Sequence, residues 1–426
     1  MTTAMDTATS TAPALSDTVA AAAFADPVVT GIGVAAPNGL GTEAWWSAVL
    51  RGENGIGPLT RFEADQYPAR LAGEVPGFRA ADHLPGRLLP QTDHVTRLAL
   101  TAADEALADA DVDPAQLPDY AAGVITASSA GGYEFGQREL EALWSKGGQY
   151  VSAYQSFAWF YAVNSGQISI RNGMRGPNSV LVSEQAGGLD AVAQARRQLR
   201  KGIRLVVTGG MDSSLCPWGW AAHLAGGELS TGEDPDRAFL PFSAEAGGHV
   251  VGEGGALLVL EDAAAARERG AEAYGSVAGY AATFDPPPGS GGAPRLGDAA
   301  ALALREAGIA PADVDVVFAD AAGRREADRA EARAIADLFG EYAVPVTAPK
   351  TMTGRLAAGG ASLDLAAALL SLRDGVIPPT VNTGPPAEDC PIDLVTEIRK
   401  PERLHIALVL ARGRGGFNAA MVVRGR

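Results

Sequence analysis

Val180-Leu181-Val182-Ser183-Glu184-Gln185-Ala186-Gly187-Gly188 is the most informative segment of this 426-residue chain. Its apolar start predicts a short buried strand that runs into a tight turn, and the segment after it predicts a helix from Leu189 to Lys201. This layout is typical of a nucleophile elbow, where free N–H groups and the helix dipole favour a thiolate. Gln185 stands where the nucleophile should be, and a carboxamide cannot attack a thioester. The segment therefore predicts an acyl-transfer scaffold without its reacting group; a glutamine that caps an ordinary helix is the alternative.

The composition describes a globular protein and excludes some partners. A hydrophobic content of 47% over 426 residues allows a large core, in two or three domains or one duplicated domain. The net charge of -16 disfavours nucleic acid and anionic membrane as partners. The Ala/Thr-rich residues 1–27 predict a disordered tail, and no segment has the length and apolarity of a signal peptide or a membrane span. We expect a cytoplasmic protein.

Cysteine and histidine usage gives no sign of a metal site. Cys216 and Cys390 lie far apart without metal-ligand spacing, so we predict neither a disulfide nor a bound metal, and Cys216 is expected to be a buried structural thiol. None of the five histidines lies in a catalytic motif.

The hydrophobic pattern predicts an α/β fold with a buried mixed sheet. Short β-branched strands alternate with alanine-rich helices from Val28 onwards, and a second series of the same kind begins near Gly275. Two similar halves follow, residues 28–268 and residues 269–426. The proline- and glycine-rich residues 285–297 predict an irregular loop.

Three further segments carry motifs that are informative together with the elbow: Val314 to Asp320, Lys350 to Arg355, and Gly413 to Asn418. Together with the elbow they resemble the β-ketoacyl synthases of the thiolase-like superfamily, from about Val28 to Val423. The resemblance implies a five-layered αβαβα fold made of two similar halves. It also implies a site where an elbow cysteine takes the acyl chain and two histidines stabilise the enolate formed on decarboxylation.

Both histidine positions of that site are altered in this chain. Asp320 occupies one and Arg355 the other, while Lys350 matches the family's lysine. With Gln185, three reactive positions have changed together. This combination resembles the chain length factor, or ketosynthase β subunit, of type II aromatic polyketide synthases, a family of antibiotic biosynthesis. The resemblance implies a heterodimer with an active ketosynthase α subunit, an acyl carrier protein that carries the phosphopantetheine arm and poly-β-ketone chain, no cofactor of the chain's own, and no catalytic residue.

Because these positions should converge, we hypothesise that Asp320 and Arg355 form a partly buried ion pair, with Lys350 and Glu331 completing the charge balance. The alternative is that both side chains point to solvent and never meet.

The segment from Gly132 to Leu140 predicts the start of a helix with Tyr133, Gly136 and Leu140 on one face. In chain length factors the matching residues wall off the end of a tunnel at the dimer interface. Gly136 and Leu140 are expected to leave room for a longer chain, nearer a decaketide than an octaketide. Ordinary core packing is the alternative.

Aromatic residues are dense between positions 154 and 161, in a chain that is 6% aromatic overall. Such density marks a core or an interface, and we expect an interface with the partner subunit. The residues are Tyr154, Phe157, Trp159, Phe160 and Tyr161.

A basic cluster ends the elbow helix and could meet the acidic carrier protein or serve the helix C-terminus. It comprises Arg196, Arg197, Arg200, Lys201 and Arg204.

Two rival functions stay open at this point. In the first, Gln185 acts in a malonyl-carrier decarboxylase that makes the acetyl primer, although the altered histidine positions argue against it. In the second, the chain is a homodimeric protein that binds acyl chains.

Overall fold

The computed structural model describes residues 25–287 and 289–426. The tail predicted for residues 1–27 falls outside these ranges except for its last three residues.

Fifteen β-strands occur in the described residues. They are β1 Val28–Ala36, β2 Gly39–Leu40, β3 Ile56–Pro58, β4 Leu71–Gly73, β5 Ala122–Ala127, β6 Asn178–Leu181, β7 Leu205–Asp212, β8 Val251–Gly252, β9 Gly254–Glu261, β10 Gly275–Phe284, β11 Val316–Phe318, β12 Pro345–Thr347, β13 Asp393–Leu394, β14 Ile406–Gly413 and β15 Phe417–Arg424.

The same ranges contain twelve α-helices. They are α1 Thr42–Arg51, α2 Ala80–His83, α3 His94–Asp109, α4 Tyr133–Lys146, α5 Gln155–Ala158, α6 Val163–Arg171, α7 Gly187–Leu199, α8 Pro217–Ala225, α9 Ala263–Glu268, α10 Leu296–Ala307, α11 Arg325–Phe339 and α12 Ala358–Asp374.

The strand order shows an internal duplication. One half runs β6-β5-β7-β9-β1 and the other β12-β11-β14-β15-β10, with β13 added at the far edge. In both halves the two outer pairs are parallel and the two inner pairs antiparallel. A two-residue antiparallel ladder between β1 and β10 joins them. The predicted mixed sheet in two similar halves is confirmed.

Helices cover both faces of each half and produce five layers. Helices α7 and α12 lie between the halves and pack their apolar faces against strands of both. On the outside, α3 covers β1 and β9, while α10 covers β10 and β15. The arrangement is αβαβα, as predicted.

Glycines at equivalent points allow each outer helix to lie directly on its strand. A Cβ on Gly33 of β1 would lie 1.9 Å from the carbonyl oxygen of Ala102 in α3, and one on Gly279 of β10 would lie 2.2 Å from that of Ala303 in α10. A side chain at either position would push helix and sheet apart.

Some predicted boundaries were wrong by a few residues. The elbow helix begins at Gly187 rather than Leu189, and the loop predicted to end at Gly297 ends at Arg295, where α10 follows. No helix in the described residues combines the length and apolarity needed to cross a membrane.

Candidate functional site

The predicted elbow is present at the edge of the N-terminal half. Strand β6 is half-buried rather than buried as predicted, because it is an edge strand paired only with β5. The chain then turns through Glu184, whose φ of +51° lies in the left-handed region, and enters α7. Gln185 is 3% exposed.

The Gln185 side chain extends toward the first turn of α12. A Cβ on Gly360 would lie 2.5 Å from Oε1 of Gln185, so the carboxamide occupies space that only a glycine leaves open. The position of a nucleophile is thus filled by a packed amide group.

The predicted Asp320–Arg355 ion pair is present and fully buried, not partly buried as predicted. Nη2 of Arg355 lies 3.1 Å from Oδ1 of Asp320, and Nη1 lies 3.2 Å from Oδ2, which is the bidentate arrangement that guanidinium and carboxylate favour. Arg355 also donates to the backbone carbonyls of Asp320, Ala321 and Arg412. Neither side chain points to solvent.

Arg412, not Lys350, is the second cation on this carboxylate. Its backbone N–H donates to Oδ1 of Asp320 at 2.8 Å, and its Nε lies 3.4 Å from Oδ2. Glu331 joins the cluster through Arg412 rather than through the predicted pair. Its carboxylate accepts from the N–H groups of Asp320 and Ala321 and lies 3.4 Å from Nη2 of Arg412.

Lys350 contributes to the charge balance of the pair without a direct contact to the Asp320 carboxylate. Its Nζ lies 2.7 Å from Oδ2 of Asp364 in α12 and donates to the backbone carbonyl of Asp320 rather than to its carboxylate. Lys350 therefore connects the segment after β11 to the central helix.

The cluster has the electrostatics of a stable salt bridge. Burial alone would raise the pKa of Asp320, but Arg355, Arg412 and Lys350 outweigh it and hold that pKa well below its usual range. Burial would lower the pKa of Arg355, and Asp320 reverses this effect. An ionised aspartate with two guanidinium partners cannot donate to an enolate, so neither residue replaces a catalytic histidine.

A cavity of about 410 Å³ adjoins the cluster, and Gln185, Asp320 and Arg355 all contribute to its wall. His223 and His249, which the motifs did not single out, also line it. Burial lowers the pKa of His223 to about 4 and holds the pKa of His249 well below its ordinary value, so both imidazoles are neutral at pH 7. Nε2 of His223 lies 2.7 Å from Oγ of Ser214.

These histidines come from segments without a sequence signal for a site. His223 lies on α8 and His249 in the loop before β8, and neither occupies a position that matches the two histidine motifs.

The predicted tunnel face of α4 extends from this cavity to the surface. Tyr133 lines the cavity and stacks on Trp218 with ring centroids 4.7 Å apart, while Leu140 is 37% exposed. A Cβ on Gly136 would lie 3.2 Å from the Trp218 ring and 3.5 Å from Cβ of Trp159. The room expected beside Gly136 is therefore taken by an indole ring, and Leu140 is the open position.

The aromatic segment after α4 lies on the surface. Tyr154, Trp159, Phe160 and Tyr161 are each about two-fifths exposed, and Phe157 is half-buried. An ordinary core would bury these rings.

The basic cluster on α7 is largely neutralised by acidic residues. Arg196 and Arg200 pair with Glu306, and Arg204 pairs with Glu268. Arg197 lies over the Tyr280 ring. These contacts do not favour a free docking surface for a carrier protein.

Both cysteines are free and buried, and burial raises the pKa of each thiol to about 11. In the part of the chain that the structure describes, no group of three or more His, Cys, Asp or Glu side chains is placed to hold a metal ion.

Comparison with known families identifies the same class of protein as the fold and the site. The sequence profile of the β-ketoacyl synthase N-terminal domain matches residues 26–266, and that of the C-terminal domain matches residues 274–384. The chain belongs to the β-ketoacyl synthase family, and within it to the ketosynthase β subunits, or chain length factors, of type II polyketide synthases.

Two relatives have 60% sequence identity to this chain. The actinorhodin polyketide β-ketoacyl synthase 2 of Streptomyces coelicolor aligns over 93% of this chain and 98% of its own length. The tetracenomycin polyketide synthase ketoacyl synthase β subunit of Streptomyces glaucescens aligns over the same shares.

Two solved structures share the fold at lower identity. The ishigamide ketosynthase/chain length factor superposes with a TM-score of 0.84 at 27% identity, over 95% of this chain and 100% of that one. A type II polyketide synthase acyl carrier protein in complex with its ketosynthase bound to the hexaketide gives 0.84 at 26% identity, over 94% and 99%.

The ion pair leads to a stability prediction. Asp320→Ala would leave Arg355 and Arg412 buried without their shared carboxylate, which should cost roughly 3–5 kcal/mol of unfolding free energy. Urea unfolding followed by circular dichroism measures it. As a matched control, Asp82→Ala removes the partner of Arg79 from an exposed pair and should cost less than about 1 kcal/mol. Equal losses in the two variants would contradict this account of the cluster.

A second prediction concerns pH and the neighbouring Asp328. Burial and the nearby Glu331 raise the pKa of Asp328 to about 7. An unfolded aspartate titrates near 3.9, so the stability that this proton contributes is complete below about pH 4 and is lost as pH rises through about 7. Asp328→Asn cannot titrate. The unfolding free energy of this variant, relative to that of the unsubstituted protein, should therefore rise from pH 5 to about pH 7 and level off by pH 8, on top of a constant loss. Two parallel curves over this range would rule the effect out.

Proposed function

We propose that this chain is the non-condensing subunit of a type II polyketide synthase ketosynthase heterodimer and shapes the tunnel that sets the length of the poly-β-ketone. The observation that carries the proposal is the buried Asp320–Arg355–Arg412 cluster beside Gln185. It replaces the reactive groups with a satisfied charge network inside an otherwise complete fold. A chain built in this way acts through shape and contact.

The exposed aromatic segment, residues 154–161, supports the proposal that this chain binds a partner subunit. Apolar side chains at this density on a soluble protein mark an interaction site. Edge strand β6 leads into Val182, which is 50% exposed, and an unpaired strand edge can add a strand from another chain. The partner we propose is a ketosynthase α subunit that carries an elbow cysteine.

The same partner and an acyl carrier protein would supply what this chain lacks. The carrier's phosphopantetheine arm would bring the growing chain to the cysteine of the partner, and the chain would extend along α4 toward Leu140. Tyr133 lines the cavity of this chain while Leu140 is exposed, and α4 contacts α5 of the aromatic segment. One helix face therefore leads from the cavity toward the proposed interface.

The length of the product should depend on the α4 face. Trp218 and Trp159 close the space beside Gly136, whereas Leu140 is smaller than a phenylalanine and faces the open side. We retain the prediction of a longer chain, nearer a decaketide, and assign the extra room to Leu140.

The proposed function is tested by co-expression with a type II ketosynthase and carrier protein, followed by mass spectrometry of the products. Gly136→Phe should displace Trp218 into the tunnel and shorten the dominant product by at least one two-carbon unit. Glu141→Phe places the same ring on the exposed side of α4 and should leave the product unchanged. Identical products from Gly136→Phe and the unsubstituted protein, in an intact complex, would contradict the tunnel assignment.

A second candidate function is malonyl-carrier decarboxylation. It is favoured by one observation, the presence of His223, His249 and Gln185 around a single cavity. Against it, Asp320 and Arg355 pair with each other where a decarboxylase would need enolate-stabilising donors.

Carbon dioxide release distinguishes the two. The purified chain should release no more from malonyl-carrier protein than a Gln185→Ala variant, because Asp320 and Arg355 at the two former histidine positions bind each other and not the enolate. A rate at least tenfold above that variant would establish the decarboxylase instead.

A further inference from the structure

Two backbone N–H groups converge on one side chain beside Gln185. The N–H of Arg414, in the glycine-rich turn between β14 and β15, donates to Oε2 of Glu184 at 2.9 Å. Burial raises the pKa of Glu184, and the N–H of Gln185 is, with that of Arg414, one of the two backbone donors that oppose the rise. One donor comes from the elbow and the other from a segment more than 200 residues away. Paired N–H groups of this kind, next to a nucleophile position, form an oxyanion hole in acyl-transfer enzymes.

We propose that Glu184 is a built-in ligand of this anion site, and that its carboxylate excludes the carbonyl oxygen of an acyl thioester. This chain then lacks two of the features that acyl transfer requires. The nucleophile is replaced at position 185, and the site that would polarise the substrate carbonyl is already filled by the preceding residue. The identity of the excluded ligand, a carrier-bound thioester, rests on the proposed function; the occupied site does not.

The backbone explains why Glu184 reaches this position. Its φ of +51° turns the side chain back toward the cavity instead of along the strand. The glycine-rich turn lies against the elbow, because a Cβ on Gly413 would lie 2.2 Å from the carbonyl oxygen of Ser183. The Arg414 N–H is thereby fixed within reach of the Glu184 carboxylate.

The occupying group is hard to displace because it is part of the elbow itself. Burial raises the pKa of Glu184, while the Arg355 guanidinium and the backbone N–H groups of Gln185 and Arg414 oppose that rise. Whether or not the group is ionised, one of its oxygens accepts from the Arg414 N–H at 2.9 Å. A thioester carbonyl would have to displace this oxygen from the cavity wall, to which Glu184 contributes.

The proposal makes restoring the nucleophile insufficient. Gln185→Cys alone would introduce a thiol beside a filled anion site. Acetyl transfer from acetyl-pantetheine should then be slow: the carbon–sulfur bond to the introduced thiol forms, the bond to pantetheine breaks, and the thiol proton passes to the departing sulfur. A second change at Glu184 should open the site.

The experiment compares full-length chains that carry Gln185→Cys alone or with Glu184→Ala, Glu184→Asp or Glu184→Gln. Intact and peptide mass spectrometry gives the rate of acetylation by acetyl-pantetheine and, separately, the rate of alkylation by iodoacetamide. Alkylation needs an accessible thiolate but no oxyanion hole, so the ratio of the two rates isolates the hole. Glu184→Asp keeps the charge with a shorter reach, and aspartate tolerates positive φ, so this variant remains informative if the alanine variant does not fold.

Glu184→Ala and Glu184→Asp should raise the acetylation-to-alkylation ratio about 10- to 100-fold over Gln185→Cys alone, since an oxyanion-hole donor is worth roughly this factor or more. Glu184→Gln keeps an acceptor oxygen in place and should leave the ratio near the starting value. An unchanged ratio in the alanine and aspartate variants would overturn the proposal. So would an equal rise in the glutamine variant, because lost charge would then explain the gain. This measurement needs no polyketide, so its outcome is independent of the outcome of the product-length experiment.

Discussion

The buried carboxylate of Asp320 is the constraint around which this site is organised. It accepts two hydrogen bonds from the Arg355 guanidinium and one from the backbone of Arg412, so it joins the end of β11, the segment before α12 and the end of β14. A buried charge that loses its partner is far more costly than an exposed one. The positions of the cluster are therefore coupled, and a single histidine restored at 320 or 355 would leave an unmatched charge behind. Physical coupling of this kind keeps the site closed to its former chemistry.

The remainder of the molecule is compatible with this loss because the fold does not depend on the reacting groups. Helices α7 and α12 hold the two halves together through an apolar core, and the outer helices lie on glycines of β1 and β10. Inside, Gln185 and Glu184 occupy the space that substrate atoms would need. Outside, the aromatic segment and the edge of β6 are exposed. A site occupied by the chain's own side chains, combined with an exposed apolar surface, is the physical pattern of a subunit that completes another protein.

Much of this could be predicted from the sequence, and the failures have a common cause. Periodicity predicted the alternating strands and helices, and the segment around Gln185 predicted the elbow. The resemblance to the β-ketoacyl synthases implied the five layers and the convergence of Asp320 and Arg355, whose opposite charges then predicted their pairing. The sequence could not show that Arg412 would be the second cation at the Asp320 carboxylate, or that Lys350 would pair with Asp364. Those contacts depend on how distant segments pack. Trp218 beside Gly136 and Glu306 beside the α7 arginines were missed for the same reason. Features determined by the local sequence pattern could be predicted, and contacts between segments distant in the chain could not.

The central claim is that this chain determines product length by shape while its partner performs the chemistry. It is tested most directly by two complexes that share one ketosynthase and one carrier protein and differ only in the second subunit, either this chain or the β subunit of a shorter-chain system. The account predicts that the mass of the dominant polyketide follows the second subunit, and that replacing the elbow cysteine of the ketosynthase abolishes product in both complexes. Products of the same length from both complexes, or polyketide made without that cysteine, would contradict it.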